Sequence, residues 1–147
     1  KKFDKKDREL ILGWLNNGGL LIKFASNKSI YNKNIYFSSK KIPPSIRYLG
    51  GDLSWEKDLN IKKFSDNSIF RNILVPKDIV IKKQLIFSKM DQIGIKVLAQ
   101  LEDETPLITM KKVGNGKILL FRSDREGTVG KQDLWQMPID PEWLICD

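Results

Sequence analysis

The sequence predicts an α/β domain built on a mixed sheet with a C-terminal antiparallel hairpin, and three local patterns carry that expectation. Near the start, apolar residues at helical spacing run into Gly18-Gly19 and then into a continuous apolar stretch. In the second half, segments of two-residue alternation follow one another. Toward the end, Gly114-Asn115-Gly116 separates two apolar segments, and Gly and Asn tolerate the positive φ that a tight hairpin demands.

Each element has its own local reason. From Asp4 to Asn17, Leu10, Ile11, Trp14 and Leu15 recur at helical spacing, with Asp4 as N-cap and acidic Asp7 in the first turn. Gly18-Gly19 ends this helix, because glycine enters the left-handed region without steric cost. Leu20 to Ala25 then reads as a buried strand, and Trp14 as a core residue. Ser26 to Pro44 is polar and aperiodic, a long loop with a short helical turn. Ile46 to Leu49 predicts a strand before Gly50-Gly51, and Leu53 to Glu56 a short extended segment. Ile69, Phe70, Ile73 and Leu74 follow Ser65-Asp66-Asn67-Ser68 at helical spacing and predict one or two helical turns ending before Pro76. Ile79 to Phe87 and Ile95 to Leu101 alternate as strands, and Leu107 to Val113 with Lys117 to Arg122 form the hairpin. The 147 residues contain no internal repeat and no clean linker, so one domain over 1–147 is expected.

Composition narrows the function. A content of 41% hydrophobic and 30% charged residues is that of a globular protein, and no run approaches the roughly 18 apolar residues of a membrane span. The charged residues from Lys1 onward do not form a secretory signal, and the absence of an initial Met leads us to expect a piece of a larger protein. The sequence has no histidine and a single cysteine, Cys146, which removes Cys-His and Ser-His-Asp chemistry and His- or multi-Cys metal and haem sites. We therefore expect no cofactor, no metal and no catalytic residue. The net charge of +8 would favour nucleic acid or anionic lipid. Its lysines, however, are scattered in pairs, and arginine, which grips phosphate bidentately, occurs only at Arg8, Arg47, Arg71, Arg122 and Arg125. That distribution argues against nucleic acid.

Two passages have a familiar form. Trp14-Leu15-Asn16-Asn17-Gly18-Gly19-Leu20-Leu21-Ile22-Lys23-Phe24-Ala25 resembles the helix-to-strand passage of class I glutamine amidotransferase-like domains. Glu102 to Ile108, followed by Val113 to Phe121, resembles their later Gly-Thr-Pro-Leu segment and hairpin. Gly50 to Lys57 and Phe64 to Pro76 are similar to segments of one branch of that family. These are bacterial membrane proteins with a BatA-type aerotolerance N-terminal region, an amidotransferase-like middle region and a C-terminal domain of unknown function. The resemblance covers roughly Asp4 to Phe121 and fails after Ser123-Asp124, so residues 123–147 stand outside it. It implies a partial flavodoxin-like, amidotransferase-like sandwich in a protein anchored in the bacterial inner membrane. The nucleophilic Cys, the His and the Glu of active members have no counterparts here.

Individual side chains offer few sites. Asp52 and Glu56 flank Trp55, a pairing used by glycoside-cleaving carboxylates around a stacking aromatic, although a turn or surface ion pair explains both acids more simply. Trp55 lies among polar residues and, with Asp52 and Glu56, marks a contact surface. Glu102, Asp103 and Glu104 could offer oxygen ligands to a divalent cation, but they lack EF-hand spacing and read first as a solvated turn. Gly114-Asn115-Gly116 lacks the helix that a phosphate loop uses.

The leading expectation is a non-catalytic interaction or scaffold domain whose partners are other protein domains of the same membrane protein or its complex, with membrane contact only through the parent chain. A basic anion-binding module for nucleic acid or anionic lipid is the alternative. An enzyme completed by residues outside this sequence is a third.

Overall fold

The computed structural model describes residues 4–25, 44–51, 54–89, 93–123 and 128–129. The first helix, α1 (Lys5–Asn16), starts where the sequence predicts. The Asp4 carboxylate accepts from the Asp7 N–H at 2.8 Å and the Asp7 carboxylate accepts in return from the Asp4 N–H at 3.3 Å, a reciprocal capping box. Gly18, at φ 107°, turns the chain directly into β1 (Leu20–Phe24). Trp14 is half-exposed rather than in the core, because its indole lies across Gly19 at the surface.

The remaining strands are β2 (Ser45–Tyr48), β3 (Leu59–Phe64), β4 (Val80–Ile81), β5 (Lys83–Ile86), β6 (Ile95–Leu101), β7 (Pro106–Val113), β8 (Gly116–Phe121) and β9 (Thr128–Val129). Seven form one sheet in the order β1-β8-β7-β6-β3-β4-β9, while β2 and β5 pair antiparallel in a separate two-stranded sheet. β1 runs parallel to β8, and the other described pairs are antiparallel, so the sheet is mixed as expected.

The hairpin between β7 and β8 is closed by Gly114-Asn115, with Val113 opposite Gly116. A positive φ at Gly114 and not at Asn115 is the pattern of a type II′ turn. This tip docks on the end of α1: the Asn115 N–H donates to the Asn16 carbonyl at 3.3 Å and the Lys117 N–H to the Gly19 carbonyl at 3.0 Å.

Four expectations about the strands and turns change. The strand expected from Ile79 to Phe87 breaks at Lys82, with β4 joining the large sheet and β5 the small one. Leu59 to Phe64, not foreseen as a strand, pairs with β6 through a register shift between Ile61 and Lys63. The segment at 54–58 forms bends rather than extended structure. Residues 65–73 form successive turns, Ser68 N–H to Ser65 O, Arg71 N–H to Ser68 O and Ile73 N–H to Phe70 O, instead of a helix. Ser68 explains this, since its hydroxyl donates to the Ser65 carbonyl and accepts the Phe70 N–H, competing with helical bonding. The loop expected at 26–44 lies almost wholly outside the described residues, as does most of 123–147.

The main core lies on one face of the large sheet, where Ile22, Phe64, Ala99, Ile108, Leu119 and Phe121 meet Phe70, with Ile73 and Val75 packed against them. Phe70 stands edge-on to Phe121 at 6.2 Å, and full burial of such a ring contributes about 1.5–3 kcal/mol. The opposite face is covered in two places. α1 packs Leu15 and Ile11 on Leu21 and Ile118, and the small sheet packs Leu85, Phe87 and Ile46 on Leu120 and Ala25. Among the described residues, no helix is long and apolar enough to cross a membrane.

Candidate functional site

The contact surface expected around Trp55 is built on an arginine that sequence reading had not placed there. Arg47 sits on β2 opposite Gln84 of β5. Its Nε and Nη2 donate to the two carboxylate oxygens of Glu56 at 2.7 and 2.8 Å, a bidentate fork. Its Nη1 donates to Asp103 Oδ2 at 2.6 Å and to Gln84 Oε1 at 3.1 Å. Gln84, only 1% exposed, passes the chain of bonds inward through Nε2 to the Thr105 hydroxyl and the Pro106 carbonyl, both at 2.9 Å. Three segments are thereby fixed to one guanidinium.

The charges tune one another. The hydrogen bond to Glu56 holds the Arg47 pKa above its ordinary value, and the same bond lowers that of Glu56. Desolvation raises the Asp103 carboxyl, but hydrogen bonds from Thr105 and Arg47 outweigh it, leaving the acid below its usual range.

The backbone around Glu56 is closed with equal economy. The Gly50 N–H donates to the Glu56 carbonyl at 2.5 Å, and the Ser54 hydroxyl donates to the Tyr48 carbonyl at 2.7 Å. Gly50 and Gly51 supply positive φ values of 69° and 83° that let the chain reverse. Trp55 therefore projects from a loop pinned on both sides. It is fully exposed, at 103% of its reference area, and Tyr48 on the adjoining strand is also exposed. Asp52, the third residue of the expected surface, lies outside the described residues. The suggested Asp52–Glu56 carboxylate pair thus has one described member, and that member is committed to Arg47.

The three acidic residues of the 102–104 turn diverge to separate partners rather than converging. Glu102 accepts the Asn60 N–H at 3.3 Å, Asp103 binds Arg47, and Glu104, at φ 68°, pairs with Lys62 at 2.8 Å, which lowers the pKa of Glu104. Among the described residues, no group of three His, Cys, Asp or Glu is arranged to hold a metal ion. Gly114-Asn115-Gly116 spends its backbone on α1 and the hairpin, as the contacts above describe. Elsewhere, an open groove of about 290 Å³ beside the β3–β6 bulge is lined by Lys63, Phe64, Asp66, Asn67 and Gln100 among others.

No protein-family model and no curated protein matches the chain. Solved structures do resemble it. Cytoplasmic protein STM1381 from Salmonella typhimurium LT2 superposes with a TM-score of 0.54 at 17% identity, over 79% of this chain and 48% of that one. Cytoplasmic protein STM3548 from Salmonella typhimurium superposes with a TM-score of 0.57 at 16% identity, over 84% of this chain and 51% of that one. The chain spans about half the length of the solved structures it matches. At such identities the likeness concerns the fold alone.

Proposed function

We propose that this chain is a non-catalytic, amidotransferase-like interaction domain, a partial flavodoxin-like sandwich that docks other protein domains through the surface centred on Trp55. The observation that carries this reading is a fully exposed indole on a loop whose next residue is clamped by a bidentate arginine. An exposed tryptophan of this kind loses little conformational freedom on binding, and tryptophan is prominent among residues that dominate interface energies. The non-catalytic part rests on the sequence, which holds no histidine and one cysteine. The parent, on this proposal, is a bacterial inner-membrane protein of the BatA-type branch, and the partners are domains of that protein or its complex; the quoted motifs support this.

The test is capture from a bacterial membrane extract, with the wild-type chain and Trp55→Ala as parallel baits at low and high salt. Defined envelope proteins that survive high salt and are lost with Trp55→Ala support the proposal. Recovery only of nucleic acid or anionic lipid that washes off with salt would replace it with the charge-driven alternative.

A further inference from the structure

The sheet face covered by α1 and the small sheet holds two buried cations that the Trp55 surface does not use. Lys23, 2% exposed, is in register with Leu120, and Arg122, 1% exposed, follows two residues later on the same face. They stand at the carboxyl ends of β1 and β8, the parallel pair of the described sheet. In α/β sheets, the crevice beyond the carboxyl ends of parallel strands is where ligands collect.

The backbone of Arg122 is engaged on both sides, its N–H donating to the Leu107 carbonyl and its carbonyl accepting from the Leu85 N–H, each at 2.7 Å. Its side chain is held less completely. The guanidinium carbon lies 4.7 Å from the centroid of the Phe87 ring, which attracts a cation but offers no acceptor, and among the described residues the buried Nε and Nη2 have no hydrogen-bond partner. These two atoms form the side-on fork that matches a carboxylate or phosphate, and they are the same pair with which Arg47 grips Glu56. Burial pushes the Arg122 pKa down to about 10, so the group remains a cation at neutral pH. A buried cation with unbonded donors is costly until an anion joins it.

We infer that Arg122 anchors an oxyanion-binding site at the carboxyl ends of β1 and β8, taking a carboxylate or phosphate group through its Nε–H and Nη2–H while Phe87 supports the guanidinium plane. Lys23 stands on the same face of the neighbouring strand. The site is independent of the Trp55 surface and uses one of the few arginines in a lysine-rich chain.

The experiment titrates inorganic phosphate and, separately, acetate into the whole chain at ionic strength held constant with sodium chloride, following thermal unfolding and heat of binding. The expected result is saturable binding by at least one anion, with the folded-to-unfolded ratio rising about 100-fold at a hundredfold excess over Kd. Arg122→Lys keeps the charge without the fork and should weaken binding about tenfold or more. Arg122→Met should abolish binding yet unfold no earlier than the anion-free parent, because it removes a charge that lacked a partner. Equal binding by the parent and both variants would assign the effect to scattered surface lysines and overturn the inference. Absence of any anion effect, together with much earlier unfolding of Arg122→Met, would overturn it differently, by showing that an acid of the chain itself fills the fork.

Discussion

Replacing Gly116 with alanine tests the junction that holds the helix to the sheet. A Cβ at this position meets only backbone: the Leu15 carbonyl oxygen, the Gly19 oxygen at 2.6 Å and the Leu15 carbonyl carbon at 2.8 Å. None of these is the end of a flexible side chain, so either the last turn of α1 or the hairpin has to move. Overpacking of this kind costs about 1–3 kcal/mol. The movement also stretches the 3.0 Å bond from the Lys117 N–H to the Gly19 carbonyl, removing about 0.5–1.5 kcal/mol. Against this, alanine narrows the unfolded ensemble and returns about 0.4–1 kcal/mol. The steric effect wins, with a net loss of about 2 kcal/mol, a large share of a typical domain stability of about 5–15 kcal/mol. Urea unfolding read by tryptophan fluorescence suits the purpose, because Trp14 lies across Gly19 at this junction. The midpoint should fall by roughly 1 M with the slope unchanged. A midpoint equal to that of the parent would refute the backbone contact between hairpin and helix.

The same substitution at Gly13 should act in the opposite direction, because an added Cβ there meets nothing within 4 Å and the site is inside α1; a gain of about 0.5–1 kcal/mol is expected in the same assay. Arg47→Met should cost about 1–3 kcal/mol, chiefly by leaving the Oε1 of buried Gln84 without its donor. Glu56 and Asp103 have lowered pKa values when folded, so their contribution is complete above the unfolded values of about 4.3 and 3.9 and disappears as pH falls through the folded ones. Stability measured from neutral pH downward should therefore decline in the parent across that acid window and decline less steeply in Arg47→Met. Trp55→Ala should leave stability within about 0.5 kcal/mol, since the side chain touches little of its own protein, while partner capture falls.

What was legible in the sequence was what is local. The Asp4 N-cap, the Gly18-Gly19 turn and the hairpin turn at Gly114-Asn115 each depend on neighbours a few positions away and stand where the residues place them, although the reciprocal bond from Asp7 and the pairing of Gly116 within β8 came only with the structure. β3 was illegible for a physical reason. Its bulge shifts the phase, so that Ile61 and Phe64 are buried while Lys62 and Lys63 both face out, and the two-residue period that announces a strand disappears. The candidate site was only half legible. Trp55 declared itself as an apolar residue among polar ones, but the clamp joins Arg47, Glu56, Gln84 and Asp103 across separations that no periodicity encodes. The scarcity of arginine in a lysine-rich chain was the available signal: Arg47 and Arg122 occupy positions where a planar fork matters and a point charge would not serve.

The parallel pairing of β1 with β8 bears on how the chain matures as it is made. The helix and strand nearest the start leave the ribosome long before the hairpin that completes them, and β1 has β8 as its described partner. Until Gly116 to Phe121 emerge, Leu20 to Ala25 is an apolar strand with neither edge bonded to β8, the kind of segment that pairs with stray chains. Structure here is therefore acquired late and over long loops, with α1 and β1 locked in place by a hairpin made much later in the chain.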